Sequence, residues 1–190
     1  MSSDWSSDVC SSDLALKNAG IETVIAVAAV GGITEKMLPG VIAIPDQIID
    51  YTWSRFHTFF EGDDLRAVTH VDMTYPYSDT IRKTLIAASR ELGLEAIEQG
   101  TYAATQGPRL ETAAEIDRLE RDGCDVVGMT GMPETALARE LELQYACCAV
   151  VANRAAGRSE GLITMEEISR NLESGMACVK QLLTAVIGRL

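Results

Sequence analysis

The sequence predicts a three-layer α/β domain with a mixed central sheet and helices on both faces. Two observations carry this. Short apolar runs of buried-strand length alternate with capped amphipathic segments, and aromatics make up 5% of the 190 residues against 47% apolar residues. Burial must then come from Ala, Val, Ile and Leu, which suits helices on a β-branched sheet better than an all-β sandwich. The length fits one domain with room for a sizeable core, and neither an internal repeat nor a second domain boundary is visible.

The first fourteen residues stand apart. Ser-Ser-Asp recurs at positions 2 to 4, 6 to 8 and 11 to 13 with no helical or strand periodicity, which reads as low complexity. Residues 1–14 are expected to be an unstructured tail or a non-native segment, with the domain proper at 15–190. ALKNAG at 15–20 reads as the last turn of a helix stopped by Gly20. Residues 22–30 form a continuous apolar run of buried-strand length ending in Gly31-Gly32, either a close backbone approach to a ligand or a plain tight turn. Residues 41–51 are a second strand, kinked at Pro45 because proline cannot donate to a ladder. A polar, irregular loop follows through His57 to Asp64.

Ser78 caps a helix whose apolar residues Ile81, Leu85, Ala88 and Leu92 share one face, with Gly93 as its stop. Residues 96–105 form a strand. Thr112 with Glu115 is a capping box for a helix ending before Gly123, and Cys124 to Met129 is a buried strand. Thr130-Gly131-Met132-Pro133 turns into another helix, and Tyr145 to Val151 is a further strand. Thr164 with Glu167 opens a long amphipathic helix through Ile168, Leu172, Met176, Val179, Leu183 and Val186.

A net charge of -12 argues against nucleic-acid backbones and anionic membrane surfaces as partners. The five cysteines lack C-x-x-C spacing. Cys124, Cys147, Cys148 and Cys178 sit among apolar residues and read as reduced core thiols. No charged n-region precedes an apolar h-region and no run of 18 apolar residues occurs, so a cytoplasmic location is expected.

The stretch from Gly100 to Glu134 organises the chain. It places two strand-to-helix corners close together, at Gln106-Gly107-Pro108 and at Thr130. Such corners combine a crevice with free backbone N–H groups. No Ser-His-Asp order, Walker loop, zinc spacing or carboxylate pair stands out, and His57 and His70 each read as catalyst or as surface residue. Residue chemistry alone therefore stops at an α/β domain with ligand corners at Gly31, Gly107, Thr130 and after Val151.

GPRLETAAEI followed by DVVGMTGMPE resembles the trimeric purine nucleoside phosphorylases, in particular the branch that splits 5'-methylthio nucleosides. The resemblance spans roughly residues 15 to 187. It implies the nucleoside phosphorylase fold and phosphorolysis, in which inorganic phosphate attacks the anomeric carbon of a purine nucleoside with no metal or organic cofactor. It implies a homotrimer as the complete assembly. Matched residue by residue, Ala29 offers a backbone N–H and Thr130 a hydroxyl and N–H to phosphate; capping remains a second reading of Thr130. Met129 packs against sugar and base, and Leu110 stands where relatives carry a stacking aromatic. Asn153, the catalytic candidate, and Ala155 occupy positions where adenine-cleaving relatives carry aspartates. An amide can donate to the O6 and N7 acceptors of a 6-oxopurine, while Glu111 can accept its N1–H. His70, in the THVDM segment, corresponds to a histidine that a neighbouring subunit lends to the 5' pocket.

The expected substrate is S-methyl-5'-thioinosine, cleaved to hypoxanthine and 5-methylthioribose 1-phosphate, with 5'-methylthioadenosine and inosine as alternatives. The family's Gly-rich phosphate loop and its Arg-His pair have no counterpart here, so the chain is expected to be N-terminally truncated. A nucleoside-binding fragment without turnover, and an unrelated α/β binding domain, are the competing readings.

Overall fold

The apolar run at 145–152 has no polar face, a pattern that demands a strand buried on both sides. The computed structural model, which describes residues 5–60 and 70–190, makes it the core of strand β7 (Gln144–Arg154). Side chains of a strand alternate between faces. Tyr145, Cys147, Ala149 and Val151 accordingly join one core, while Ala146, Cys148 and Val150 join a second. Cys147 and Cys148 thus point to opposite layers as free thiols, and burial pushes the Cys148 thiol up to about 12. The expectation of core thiols holds for Cys124 as well, whereas Cys178 is half-buried.

Strand β1 (Thr23–Gly32) runs parallel to β7 along its length, from Thr23 beside Gln144 to Gly32 beside Arg154. Gly31 and Gly32 are the last residues of this strand, and do not form a turn beyond it. A Cβ on Gly32 would lie 2.0 Å from the Met37 carbonyl oxygen, so the glycine serves close backbone packing. On its other side β1 pairs antiparallel with β6 (Val126–Gly128).

Residues 41–51 form two strands, β2 (Ile42–Ala43) and β3 (Gln47–Asp50), and residues 96–105 likewise form β4 (Ala96–Ile97) and β5 (Thr101–Ala104). The strand order is β3-β5-β6-β1-β7-β2-β4, with β2 pairing antiparallel to β7 and the remaining pairs, β3 with β5, β5 with β6 and β2 with β4, parallel. Chain neighbours β2 and β3 therefore lie toward opposite ends of this order. Bonds from Ile44 N to the Ile97 carbonyl (2.9 Å) and Asp46 N to the Gly100 carbonyl (3.1 Å) bridge the interruption. The mixed sheet curls until its two ends meet at the Pro45 kink.

Helix α2 (Asp79–Glu91) begins at the Ser78 cap, and α3 (Ala113–Arg121) at a complete Thr112–Glu115 capping box. α4 (Glu134–Glu140) follows the Thr130 turn. α5 (Met165–Ile187) starts at Thr164, whose side chain accepts from Glu167 N at 3.2 Å. Val179, Leu182 and Val186 of α5 pack with Ile81, Leu85 and Ala88 of α2 over β7, while α4 lies against the other face of β7. Helices therefore cover both faces.

Helix α1 (Trp5–Asn18) makes the Ser-Ser-Asp segment helical from Trp5 onward, although its sequence carries no periodicity. Docking on α4 supplies a support that periodicity does not. Residues 1–4 and the part of the predicted loop from 61 to 64 lie outside the described residues.

Replacing Thr112 by alanine removes the hydroxyl that accepts from Glu115 N, and is expected to destabilise the fold by about 1 kcal/mol in urea titrations.

Candidate active site

The β1–β7 pairing shifts register near its end: Val30 sits beside Val151, but Gly31 sits beside Asn153, leaving Ala152 unpaired. A bulge of this kind re-aims the side chains that follow it. Across β1, Gly31 opposes Val127 of antiparallel β6, and the same register carried two residues on sets Met129 beside Ala29. Three strand ends from distant parts of the sequence thus converge.

The segment between β5 and α3 forms the next wall. Gly107 adopts φ +62, and a Cβ there would lie 2.3 Å from the Met129 sulfur, so the turn can close over the thioether only with glycine. Thr105 N donates to the Gly128 carbonyl (2.8 Å), the last bond of the β5–β6 ladder. Its hydroxyl donates to Glu111 Oε1 at 2.6 Å, with the Gly128 carbonyl a second acceptor at 3.2 Å. Thr105 orients the Glu111 carboxylate. Arg109 binds both oxygens of Glu115 (2.8 and 2.7 Å), and Glu115 also accepts from Thr112 N at 2.8 Å. The residues flanking Leu110 and Glu111 are thereby pinned to the start of α3.

These walls border an open cavity of about 350 Å³. Ala29, Leu110, Glu111, Met129, Thr130, Asn153 and Ala155 all line it, with Gly31, Ile163 and Ile168 completing its walls. Ala29 and Leu110 are exposed toward it, Met129 is half-buried and Ala155 is buried. Asn153 is 8% exposed, and one of its amide hydrogens goes to the Arg154 carbonyl (2.7 Å), leaving the second N–H and the amide oxygen for a ligand. Thr130 is exposed, and its N–H and hydroxyl lie 3.4 and 3.5 Å from the Tyr102 hydroxyl. It does not cap α4, whose N-cap is Pro133 with no side-chain bond. Glu111 is the one ionisable side chain among the described lining residues. Apolar walls carrying one carboxylate acceptor and one amide donor suit a flat heterocycle that presents both an N–H and a carbonyl.

His70 is exposed and takes no part in this cavity. His57 instead faces Asp50, 3.5 Å from Nδ1 to Oδ2. A second cavity of about 410 Å³ shares only Glu111 with the first. Its basic groups are already engaged, Arg109 by Glu115, and Arg118 by Asp122 (3.7 Å) and the Tyr51 ring (5.7 Å to the centroid). The site residues that the sequence did not single out are Thr105 and the hydrophobic pair Ile163 and Ile168. A threonine directly before Gln-Gly-Pro was the available signal for the first; Ile168 stands in the apolar stripe of α5 just after its Thr164 cap, and Ile163 lies in the loop before it with no marker of its own.

The model of the phosphorylase superfamily matches residues 6–188. A probable S-methyl-5'-thioinosine phosphorylase of Pseudomonas syringae pv. tomato is 58% identical over 173 residues, covering 91% of this chain and 70% of that protein. The 6-oxopurine nucleoside phosphorylase of Pyrococcus furiosus is 47% identical over 177 residues, covering 91% and 67%. Among solved structures, methylthioadenosine phosphorylase from Schistosoma mansoni in complex with adenine superposes with a TM-score of 0.90 at 27% identity, covering 95% of this chain and 70% of that one.

Arg109 first, and the Thr112 N–H second, hold the Glu115 carboxyl down at about 2. A carboxylate with a depressed value contributes stability that is complete above its ordinary range near 4.5 and is lost as pH falls toward 2. A carbon-detected NMR titration should place the Glu115 midpoint near 2, and Arg109→Ala should move it up toward the ordinary carboxylate range.

Proposed function

The chain belongs to the phosphorylase superfamily, and on that premise we propose that its cavity takes S-methyl-5'-thioinosine and inorganic phosphate to hypoxanthine and 5-methylthioribose 1-phosphate. The observation that carries the reading is the convergence of Ala29, Leu110, Glu111, Met129, Thr130, Asn153 and Ala155 on one cavity. These residues come from three strand ends and one turn, and share no local reason to meet.

In this reading phosphate sits at the open end of the cavity, between the Ala29 N–H and the Thr130 hydroxyl and N–H. Met129 and Leu110 give the sugar and base an apolar wall. As phosphate oxygen bonds to the anomeric carbon, the bond to the purine breaks and its electron pair moves onto the base. Hydrogen bonds to the base strengthen as that charge grows, which is how they lower the barrier. The free N–H of Asn153 donates to the O6 and N7 side, and Glu111 accepts the N1–H. The acceptor at Glu111, the donor at Asn153 and the apolar Ala155 together favour a 6-oxopurine over a 6-aminopurine. The Pseudomonas and Pyrococcus relatives carry names of the same base class.

The finer parts of the proposal concern assembly and place. His70 lies outside the cavity of its own chain, and Trp53 and Tyr75 nearby in sequence are 66% and 76% exposed. Both fit a homotrimer in which His70 borders a neighbour's 5' pocket. The free thiols at Cys124, Cys147, Cys148 and Cys178 fit the cytoplasm. Among the described residues no helix is long and apolar enough to cross a membrane.

Calorimetry of this chain should give tighter binding of hypoxanthine than of adenine. Asn153→Asp should move the ratio toward adenine by about tenfold, the scale of one exchanged hydrogen bond. Adenine bound more tightly by the unaltered chain would sink the base assignment. Thr105→Val, nearly isosteric, should weaken hypoxanthine binding several-fold with little effect on adenine, and Thr105→Ser should restore it.

A further inference from the structure

Where the β5–β6 ladder ends, the two strands part into the turns that carry the two halves of the cavity. Beyond the bond from Thr105 N to the Gly128 carbonyl, the next carbonyls of both strands have no ladder partner among the described residues. One side chain takes them. Arg55 Nη1 donates to the carbonyls of Met129 (2.8 Å) and Met132 (2.5 Å), and Nη2 to those of Gln106 (2.8 Å) and Thr105 (3.3 Å). The two terminal nitrogens of a guanidinium carry four hydrogens in one plane, and here each has a carbonyl. Burial acts to lower the Arg55 pKa, with Asp50 opposing it, and arginine keeps its charge under such a shift.

We infer that Arg55 is the positioning residue that fixes the base-side turn, carrying Glu111, against the phosphate-side turn, carrying Met129 and Thr130. The inference rests on the proposed reading of that cavity for what the two turns bind. Removing the fork would leave strand-end carbonyls unpaired and let the turns move independently, so Glu111 and Thr130 would no longer hold one separation. The geometry also adds an electrostatic contribution. The carbonyl of Met129 and the N–H of Thr130 belong to the same peptide, so a cation on the carbonyl polarises the N–H toward an anion. Lysine cannot replace this fork, since its ammonium has three tetrahedral donors rather than four coplanar ones.

The test is backbone hydrogen exchange on the unliganded chain, Arg55→Met against the unaltered protein, with Arg55→Lys as the second variant. Exchange in peptides spanning 105–111 and 129–134 is expected to rise about tenfold or more in Arg55→Met, with β1 and β7 unchanged. Arg55→Lys should restore protection to at most one of the two turns. Unchanged exchange in both turns overturns the inference. So does a rise spread equally through β1 and β7, which marks a general loss of stability. If Arg55→Met does not fold, Arg55→Lys carries the same contrast. Hypoxanthine calorimetry on the same proteins separates this from the functional reading. Loss of protection at both turns in a chain that binds no hypoxanthine supports the role of Arg55 and defeats the substrate. Tight hypoxanthine binding by an Arg55→Met protein with undisturbed turns does the reverse.

Discussion

The parallel pairing of β1 with β7 is the constraint on which the rest of this molecule depends. β7 is apolar on both faces and is covered on two sides, whereas β1 leaves Val27 and Ala29 exposed toward the cavity. Alternation along β7 sends Tyr145, Cys147, Ala149 and Val151 into one layer and Ala146, Cys148 and Val150 into the other. Helices α2 and α5 then have to lie on the second layer, because the faces that carry Ile81, Leu85, Val179 and Leu182 have nowhere else to be buried. The bulge that ends the pairing turns a structural spine into a cavity wall, since it sets Asn153 beside Gly31.

The cavity is built where the β1–β7 pairing and the β5–β6 ladder end. Strand ends and turns bring polar groups to the cavity, and side chains outside its wall hold them. Arg55 takes four carbonyls, Glu115 takes the Thr112 N–H and the Arg109 guanidinium, and Thr105 holds one oxygen of Glu111. The wall itself keeps one carboxylate, one amide and one exposed threonine amid apolar residues. Few polar groups amid apolar walls keep the cavity low in charge.

The likeness to known proteins divides along the same line. A TM-score of 0.90 at 27% identity to the Schistosoma methylthioadenosine phosphorylase reflects the curled sheet and its layers, which many sequences can fill. The bacterial and archaeal relatives, at 58% and 47% identity, are named for 6-oxopurine substrates. Fold by itself does not decide substrate class.

Local physics made much of this protein readable from its sequence. Caps at Ser78, Thr112 and Thr164 act over three residues, the apolar stripe of α2 over one helix, and the buried run of β7 over one strand, so each is written in contiguous residues. The candidate site residues were read from a family resemblance spanning roughly residues 15 to 187, and all but His70 line one cavity. Tertiary structure decided the rest. Pro45 marked a kink, yet only the closing of the sheet shows that β2 and β3 pair at opposite ends of its strand order. The Ser-Ser-Asp segment from Trp5 is helical while docked on α4, without a periodic face of its own. Arg55 sat in a loop with no pattern, because its partners lie 50 to 77 residues away. Sequence spacing encodes what a residue does to its neighbours in the chain, whereas contacts across such distances exist only once strand ends have been brought together.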